Sequence, residues 1–370
     1  MIKVMVLGLR GFPDVQGGVE KHAEHLYPLL AQIGCRIEVI ARSRYLPRFT
    51  RTWRGVRFRR LWAPKIKGLE AFVHSFLGVI YAAVMRPDIL HIHAIGPGIV
   101  TPLARLLGLT VVITHHGPDY DREKWNFFAR WLLRRGEAWS MKFSHRRIVI
   151  SKVIRDLIMQ RYGIDTNVIP NGVDLPVITG SDRAVQEFGL TKQHYILLVS
   201  RFVPEKRHLD LIRAFRQAGL SSWKLVLVGD ADHPDKYSES VREEARHAPN
   251  VVLTGFQSGV ALQELYEHAG LFVLPSSHEG LPIAMLEALS YGVPVIASNI
   301  PANIEVGLPP ENYFALGDSA ALASLLRRRC VTISDIERRE YLRLVEDRYD
   351  WTKIARNTFD LYRQVLDLVE

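Results

Sequence analysis

Short apolar runs rich in Val, Ile and Leu alternate along the chain with longer segments in which apolar residues recur every three or four positions. Such runs predict buried β-strands and the longer segments predict helices. In the first half the pattern predicts strands at 2–8, 36–41, 89–93, 110–114 and 147–150, and helices at 18–33, 69–85, 98–107, 122–143 and 151–161. Regular alternation of the two predicts βα units on a parallel sheet.

The segment 168–174, Val-Ile-Pro-Asn-Gly-Val-Asp, carries turn signals and is interpreted as a domain junction. The same alternation then begins again. It predicts strands at 195–200, 224–228, 251–253, 271–274 and 294–297, and helices at 206–218, 237–247, 259–268, 282–291, 319–328 and 335–368. The fold class is therefore α/β, with two doubly wound domains that face a cleft and bind ligands at the carboxyl ends of their strands.

The composition indicates the cellular compartment and shows that charge is distributed unevenly between the two halves. The two cysteines, Cys35 and Cys330, imply neither a disulfide framework nor a Cys-based metal site, which fits a reducing cytosol. The chain opens as a buried strand without the cleavage site of a signal peptide. Residues 1–174 carry a net charge of +14 and residues 175–370 a net charge of −5. Such asymmetry indicates that the first half faces a polyanion, either nucleic acid or an acidic membrane.

The positive charge is concentrated in the Arg42–Arg60 region, where bulky apolar residues are interleaved with eight arginines: Arg42, Arg44, Arg48, Arg51, Arg54, Arg57, Arg59 and Arg60. This mixture suits an anionic membrane surface, and a solvated loop and hairpin explains it equally well. Residues 69–85 are the most apolar stretch. At 17 residues it is at the short end for a membrane span, so a buried or membrane-touching helix is predicted and transmembrane segments are not.

The run 278–287 (His-Glu-Gly-Leu-Pro-Ile-Ala-Met-Leu-Glu) places Glu279 and Glu287 around a Gly-Leu-Pro step typical of a helix start. Pro282 suits the first turn, and the free N–H groups of that turn favour an anion such as phosphate. On a helix, Glu287 would lie on roughly the same face as Glu279, about 12 Å further along. This spacing suits a nucleotide sugar. A helix with two unrelated surface acids is the alternative.

In each half, the loop after the first predicted strand carries candidate phosphate-binding residues. The first loop offers two glycines, and the second offers two cations. Gly17-Gly18 directly precedes a helix, where a bare backbone can approach a phosphate or simply begin the helix. The loop does not match the G-x-G-x-x-G dinucleotide fingerprint, which argues against a nicotinamide or flavin enzyme. Arg201 and Lys206, five residues apart, can clamp a diphosphate and neutralise it as a leaving group, or can be two surface cations.

Histidines end two neighbouring predicted strands, namely His91, His93, His115 and His116. No carboxylate accompanies them at fixed spacing, so a hydrogen bond to a sugar hydroxyl is favoured over a metal site. Two Asp-x-Asp triplets, 119–121 and 230–232, resemble metal-binding triplets, but a turn explains the second one, and the structural explanation is preferred.

Together these features resemble glycosyltransferase family 4, the retaining enzymes of GT-B architecture, over nearly the whole chain. The resemblance rests on Gly17-Gly18, on Arg201 and Lys206, on 170–174 (Pro-Asn-Gly-Val-Asp) and on the two glutamates with Gly280. The stretch 114–125 and the opening Gly-Leu-Arg-Gly-Phe-Pro resemble the exopolysaccharide and rhamnosyltransferase-like branch.

The resemblance implies an acceptor-binding domain at 1–170, a nucleotide-sugar-binding domain at 171–350, and a terminal helix at 351–370 that returns to the first domain. It also implies roles for particular residues. Glu287 would hold the donor ribose and Glu279 would face the transferred sugar. The backbone of Leu281, Pro282 and Ile283, beside Gly280, would line the phosphate end. Arg201 and Lys206 would grip the diphosphate, Gly17 and Gly18 would approach the donor from the first domain, and His116, rather than His115, would lie near the transferred sugar.

The implied reaction is front-face substitution with retention, in which a donor phosphate oxygen takes the acceptor's proton and no protein nucleophile is needed. No cofactor or metal is expected. The expected acceptor is a glycan, in particular a lipid-linked one, at the inner face of the plasma membrane, with the enzyme cytoplasmic and peripheral. A nucleotide-sugar 2-epimerase and a catalytically silent nucleotide-sugar-binding protein stay open as alternatives. Nucleic acid is not an expected partner, because it would explain the arginines but not the glutamates.

Overall fold

Parallel strands organise both halves of the chain. The computed structural model describes every residue except 16, 47–49, 67–68, 119, 121–126, 177, 232–233, 331–334 and 368–370, and it leaves the side chains of 335 and 336 undescribed. The chain divides into unit 1, residues 1–172 with 351–370, and unit 2, residues 173–350.

Unit 1 contains an eight-stranded sheet in the order β3-β4-β2-β1-β5-β6-β7-β8, and all of its pairings are parallel except that of β3 with β4. Its strands are β1 (Ile2–Leu7), β2 (Cys35–Arg42), β3 (Thr52–Trp53), β4 (Val56–Leu61), β5 (Ile89–His93), β6 (Val111–His115), β7 (Arg146–Val149) and β8 (Asn167–Val168). Its first five helices are α1 (Gly18–Gln32), α2 (Leu69–Met85), α3 (Thr101–Leu106), α4 (Phe127–Phe143) and α5 (Lys152–Tyr162).

Unit 2 contains a parallel six-stranded sheet in the order β11-β10-β9-β12-β13-β14. Its strands are β9 (Tyr195–Val199), β10 (Lys224–Val228), β11 (Val251–Gly255), β12 (Leu271–Leu274), β13 (Val295–Ser298) and β14 (Tyr313–Phe314). Its helices are α6 (Arg183–Glu187), α7 (His208–Ala218), α8 (Lys236–Arg246), α9 (Gly259–Glu267), α10 (Ile283–Ser290), α11 (Pro301–Ile304), α12 (Ser319–Arg329) and α13 (Asp335–Arg348).

The last helix, α14 (Trp351–Leu366), belongs to unit 1 and packs on α1. Its buried face, which includes Trp351 and Tyr362, joins the core cluster of β1, β2 and α1. The prediction that 335–368 is helical is wrong at Tyr349 and Asp350, where the chain leaves the helical conformation. The predicted α/β class, with two Rossmann-like units and a terminal helix on the first, is confirmed.

The Arg42–Arg60 region contains the β3–β4 hairpin, whose second strand pairs with β2. Several of its arginines are engaged within unit 1: Arg42 and Arg44 lie 3.6 and 3.7 Å from Glu70, and Arg59 donates to Tyr81. Arg48 and Phe49 lie outside the described residues. No helix in the described part of the chain is both long and apolar enough to cross a bilayer.

Candidate functional site

The two predicted phosphate-binding segments of unit 2 follow neighbouring strands. Residues 200–206 follow β9 and residues 275–282 follow β12, and β9 and β12 are adjacent in the sheet. From β9 the chain proceeds to β10 and β11 on one side, and it then returns to place β12 on the other side. This is the topological switch point of the sheet, where doubly wound folds leave a crevice for a ligand.

Direct contacts join these two loops. Lys206 Nζ lies 2.5 Å from Glu279 Oε1, with the lysine side chain 22% exposed and the glutamate side chain 10% exposed. The Ser277 N–H donates to the Glu205 carbonyl at 2.8 Å. The structure therefore brings together two of the predicted residues, Lys206 and Glu279, which are 73 positions apart in sequence.

Glu287 lies on α10 and is half-buried. Its Oε2 accepts a hydrogen bond from the Tyr266 hydroxyl at 2.9 Å. The Tyr266 ring is fully buried and stacks on Tyr291 at 5.6 Å. Burial and the Glu287 charge raise the pKa of Tyr266 well above its usual range, so the phenol stays protonated and remains a donor. Tyr266 was not predicted as a site residue, because its position beside Glu287 depends on how α9 packs on α10.

The predicted helix geometry around the two glutamates needs correction. Helix α10 begins at Ile283, and Pro282 is the residue before it, whose carbonyl accepts from the Met285 and Leu286 N–H groups. Glu279 lies four residues before the helix, in irregular backbone. The prediction that Glu279 and Glu287 share a helical face is therefore wrong, because only Glu287 is helical.

The remaining predicted residues of unit 2 lie in the same two loops. Arg201 is the second residue of the loop after β9 and is half-buried, and Gly280 and Leu281 lead into α10, with Leu281 buried. The first N–H groups of a helix have no partner within it, so the backbone at the start of α10 offers donors to an anion.

In unit 1, Gly17 is the residue before α1 and has a φ of 151°, which disfavours any side chain. A Cβ at Gly17 would collide with the carboxylate of Glu20, whose oxygens also accept from the Arg10 guanidinium at 3.1 and 3.2 Å. A Cβ at Gly18 would meet nothing within 4 Å. The glycine pair therefore presents open backbone beside the Arg10–Glu20 ion pair.

His116 takes part in a cluster of three histidines. His116 Nε2 lies 2.9 Å from His93 Nδ1, and the His22 ring lies 5.1 Å from the His116 ring. Burial lowers the pKa of all three, that of His22 to about 4, so the rings are neutral at pH 7. One nitrogen from each ring lies within 4.8 Å of the others, which is close enough to share a metal ion, although no carboxylate among the described residues joins the group. His22, contributed by α1, carries no sequence signal that would have placed it here.

His115 does not join the histidine cluster and instead pairs with Glu137. The Gly117 N–H donates to His115 Nδ1 at 3.0 Å, so the ring proton is on Nε2 and is donated to the fully buried Glu137 at 2.9 Å. Burial alone would raise the pKa of Glu137, but hydrogen bonds from His115, Tyr162 and Tyr120 outweigh it and lower that pKa to about 2. His115 thus has a structural partner, while His116 is partly exposed.

The Asp-x-Asp triplets are described only in part. Asp119, Asp121 and Asp232 lie outside the described residues, as do residues 122–125 of the 114–125 stretch. Asp230 forms an ion pair with Arg242, which gives this aspartate a structural role.

Two family models match separate parts of the chain. Residues 16–176 match Glycosyltransferase Family 4, and residues 181–327 match Glycosyl transferases group 1. An Escherichia coli protein named UDP-Gal:alpha-D-GlcNAc-diphosphoundecaprenol alpha-1,3-galactosyltransferase is 29% identical over 233 residues, which are 58% of this chain. The matched region spans 59% of that enzyme's length, about three fifths.

Solved structures show the same fold over the whole chain. Sucrose-phosphate synthase from Thermosynechococcus elongatus superposes with a TM-score of 0.82 at 21% identity, covering 100% of both chains. Anabaena HepE in complex with UDP-glucose gives a TM-score of 0.80 at 17% identity, covering 98% of this chain and 100% of that one. At these identities the likeness establishes the fold, which is GT-B.

Proposed function

Because the chain belongs to glycosyltransferase family 4, we propose that it transfers a hexosyl or deoxyhexosyl unit from a nucleotide-sugar donor to a lipid-linked glycan acceptor in polysaccharide biosynthesis. The observation that carries this proposal is the pairing of Lys206 with Glu279 at the switch point between β9 and β12. A cation is held there next to a helix start, in the crevice where doubly wound folds bind nucleotides.

The donor fits this crevice group by group. Lys206 and Arg201 bind the diphosphate, assisted by the backbone at Gly280, Leu281 and Ile283, since Pro282 has no N–H. Glu287, oriented by Tyr266, accepts hydrogen bonds from the ribose hydroxyls. Glu279, which holds Lys206 in place, faces the transferred sugar. The roles of Gly17, Gly18 and His116 at the donor stay predictions.

The chemistry follows from the charges. As the glycosidic bond to the diphosphate breaks, negative charge develops on the leaving oxygen, and two fixed cations stabilise it. A donor phosphate oxygen takes the proton of the attacking acceptor hydroxyl, so the acceptor enters from the face that the diphosphate leaves and the configuration is retained. No covalent sugar–enzyme bond is formed, unlike in the retaining glycosidases. The proposed reaction uses no cofactor and no metal.

The proposed acceptor is lipid-linked, and the proposed location is the inner face of the plasma membrane. The name of the E. coli relative specifies a diphosphoundecaprenol-linked acceptor, which supports a lipid-linked acceptor here. Such an acceptor requires the enzyme to work at a membrane. We place the protein in the cytoplasm, peripherally bound to the inner face of the plasma membrane, with the Arg42–Arg60 region attracting anionic lipid.

The test is release of nucleoside diphosphate by purified protein from a panel of UDP-, GDP-, ADP- and TDP-sugars, with and without a lipid-linked acceptor. Acceptor-dependent release that Lys206→Ala and Glu287→Ala both abolish is expected. Full activity in both variants would remove the site assignment. Conversion of the donor without acceptor would indicate an epimerase, and tight donor binding without turnover would indicate a silent binding protein.

A further inference from the structure

Helix α2 exposes a row of large apolar residues, whereas the opposite, buried row is polar or small. Its inward row, Glu70, His74, Gly78 and Ala82, is buried and consists of polar or small residues, and Ser75 and Val79 are buried beside it. The row two positions on, Phe72, Phe76, Ile80 and Val84, is 40%, 45%, 41% and 76% exposed. Two residues correspond to about 200° of helix rotation, so the rows lie on opposite sides. An ordinary surface helix buries its large apolar residues and exposes its polar ones.

Two members of the inward row, Glu70 and Gly78, have close contacts within unit 1. Glu70 is approached by Arg42 and Arg44, and Gly78 lies so close to Leu7 that a Cβ would collide with it. The helix is thereby held with its polar side on unit 1. The outward row, called the α2 face below, receives no such explanation from within unit 1.

Apolar exposure continues around the α2 face. Trp62 and Ile66, shortly before α2, are 63% and 60% exposed. Helix α3, which contacts α2, exposes 83% of Leu106. Exposed large apolar residues on neighbouring elements, where they form a common surface, mark an interaction site.

Cations border the same surface. Exposed Arg59 donates to Tyr81 of α2 at 2.8 Å, and exposed Arg57 lies two residues earlier on the same side of β4. At the end of α2, exposed Arg86 donates to the Leu107 carbonyl at 2.9 Å. On α4, which contacts α3, the Arg135 guanidinium lies 5.4 Å from the ring centre of Trp131, itself 46% exposed.

We propose that the α2 face inserts into the interfacial layer of an anionic lipid bilayer, with Arg57, Arg59 and Arg86 at the level of the headgroups. Apolar residues with a cationic border have the composition of interfacial helices. A second copy of the chain fits less well, because pairing two α2 faces would bring the bordering arginines of both copies together. The proposal rests on the membrane location of the proposed function and deepens it, because it takes the membrane-touching alternative predicted for 69–85 and assigns the contact to one face of that helix.

The experiment is co-sedimentation of the full chain with vesicles of phosphatidylcholine, with and without phosphatidylglycerol, in the absence of donor and acceptor. The wild type should partition onto the anionic vesicles, and the double variant Phe76→Glu, Ile80→Glu should partition at least about tenfold more weakly. Met159→Glu on α5 is the matched control, since Met159 is also 45% exposed, and it should bind as the wild type does.

Two outcomes would overturn the proposal: unchanged partitioning of the double variant, or no partitioning of the wild type. If light scattering instead shows a dimer that the double variant loses, the face is a self-interface. Because no sugar transfer is measured, these results are independent of the proposed activity.

A second measurement avoids dependence on the folding of the double variant. A nitroxide attached to Ile80→Cys, on a Cys330→Ser background, should become more accessible to oxygen when anionic vesicles are added. A nitroxide at Met159→Cys should not change, and equal behaviour of the two labels would contradict insertion.

Discussion

The hydroxyl of Tyr266 donates a hydrogen bond of 2.9 Å to Glu287, from a ring that is completely buried. Tyr266 belongs to α9 and Glu287 to α10, so the bond fixes the carboxylate relative to a neighbouring helix. A glutamate that is to accept two ribose hydroxyls needs such fixed orientation, because a mobile carboxylate would lose side-chain entropy when the donor binds.

Tyr266→Phe should therefore raise the KM for the donor by about fivefold, equivalent to about 1 kcal/mol, while kcat changes little. Tyr195→Phe is the matched control: it removes an equally buried hydroxyl, which donates to the Leu265 carbonyl at 2.6 Å. Both variants should lose similar stability, but only Tyr266→Phe should change the donor KM. Equal KM values in steady-state assays of the two variants would contradict the positioning role.

Lys206→Ala should lower kcat by about a hundredfold or more, because a cation that stabilises the leaving diphosphate acts most strongly in the transition state. Lys192→Ala offers a control, since Lys192 also pairs with an acid, Asp182, at 2.7 Å, but is 49% exposed. That variant should keep full activity. A Lys206→Ala enzyme with normal kcat and only a raised KM would show that the lysine binds substrate and transition state equally.

The fold was predictable largely because the strands of both sheets, apart from the β3–β4 hairpin, are parallel and mostly buried, so that they are continuous apolar runs. The strands at 224–228 and 271–274 and the helix at 69–85 were predicted with the bounds that the structure has. For the β3–β4 region, the sequence left a membrane surface and a solvated loop and hairpin as equal alternatives, because its arginines mask the alternation of Val56 and Phe58. The apolar periodicity of 335–368 did not reveal the break at Tyr349 and Asp350, which lies at the boundary between unit 2 and unit 1, whereas the resemblance implied a separate terminal helix from 351.

The site was predictable only as separate segments. Lys206 and Glu279 were both identified, but their contact depends on β9 and β12 being neighbours, which requires the sheet order. Tyr266 and His22 were missed for the same kind of reason: each is contributed by a helix whose own pattern indicates packing and nothing more. Glu279 was placed on a helix because its spacing from Glu287 permits one, whereas the helix begins four residues later.

Gly18→Ala tests whether the first loop approaches the donor. A Cβ at Gly18 meets nothing within 4 Å, so the thermal stability of the variant should match that of the wild type, whereas a methyl group in the path of a phosphate should raise the donor KM. Gly172→Ala, in contrast, is expected to lower the stability of the protein. Its Cβ would lie 2.5 Å from the Trp351 ring, so the variant should lose about 1 to 3 kcal/mol of stability. An unchanged donor KM in Gly18→Ala would contradict the predicted approach.

The histidine cluster predicts how stability depends on pH. Burial lowers the pKa of His22 from 6.5 to about 4, and the pKa values of His93 and His116 are lowered as well. Between pH 4 and 6.5 the unfolded chain therefore binds more protons than the folded chain, so the free energy of unfolding should be largest above pH 6.5 and should decrease as the pH falls.

His22→Gln should reduce this slope by up to about 1.4 kcal/mol per pH unit, which corresponds to one proton, even if the variant is less stable at pH 7. Met159→Gln, at an exposed site that carries no titratable group, supplies the control and should leave the slope as it is. Urea unfolding at a series of pH values from 7 to 4.5 measures the slope for both variants. Identical slopes for the wild type and His22→Gln would show that His22 titrates alike in the folded and unfolded chains, and its burial as a neutral ring would then be wrong.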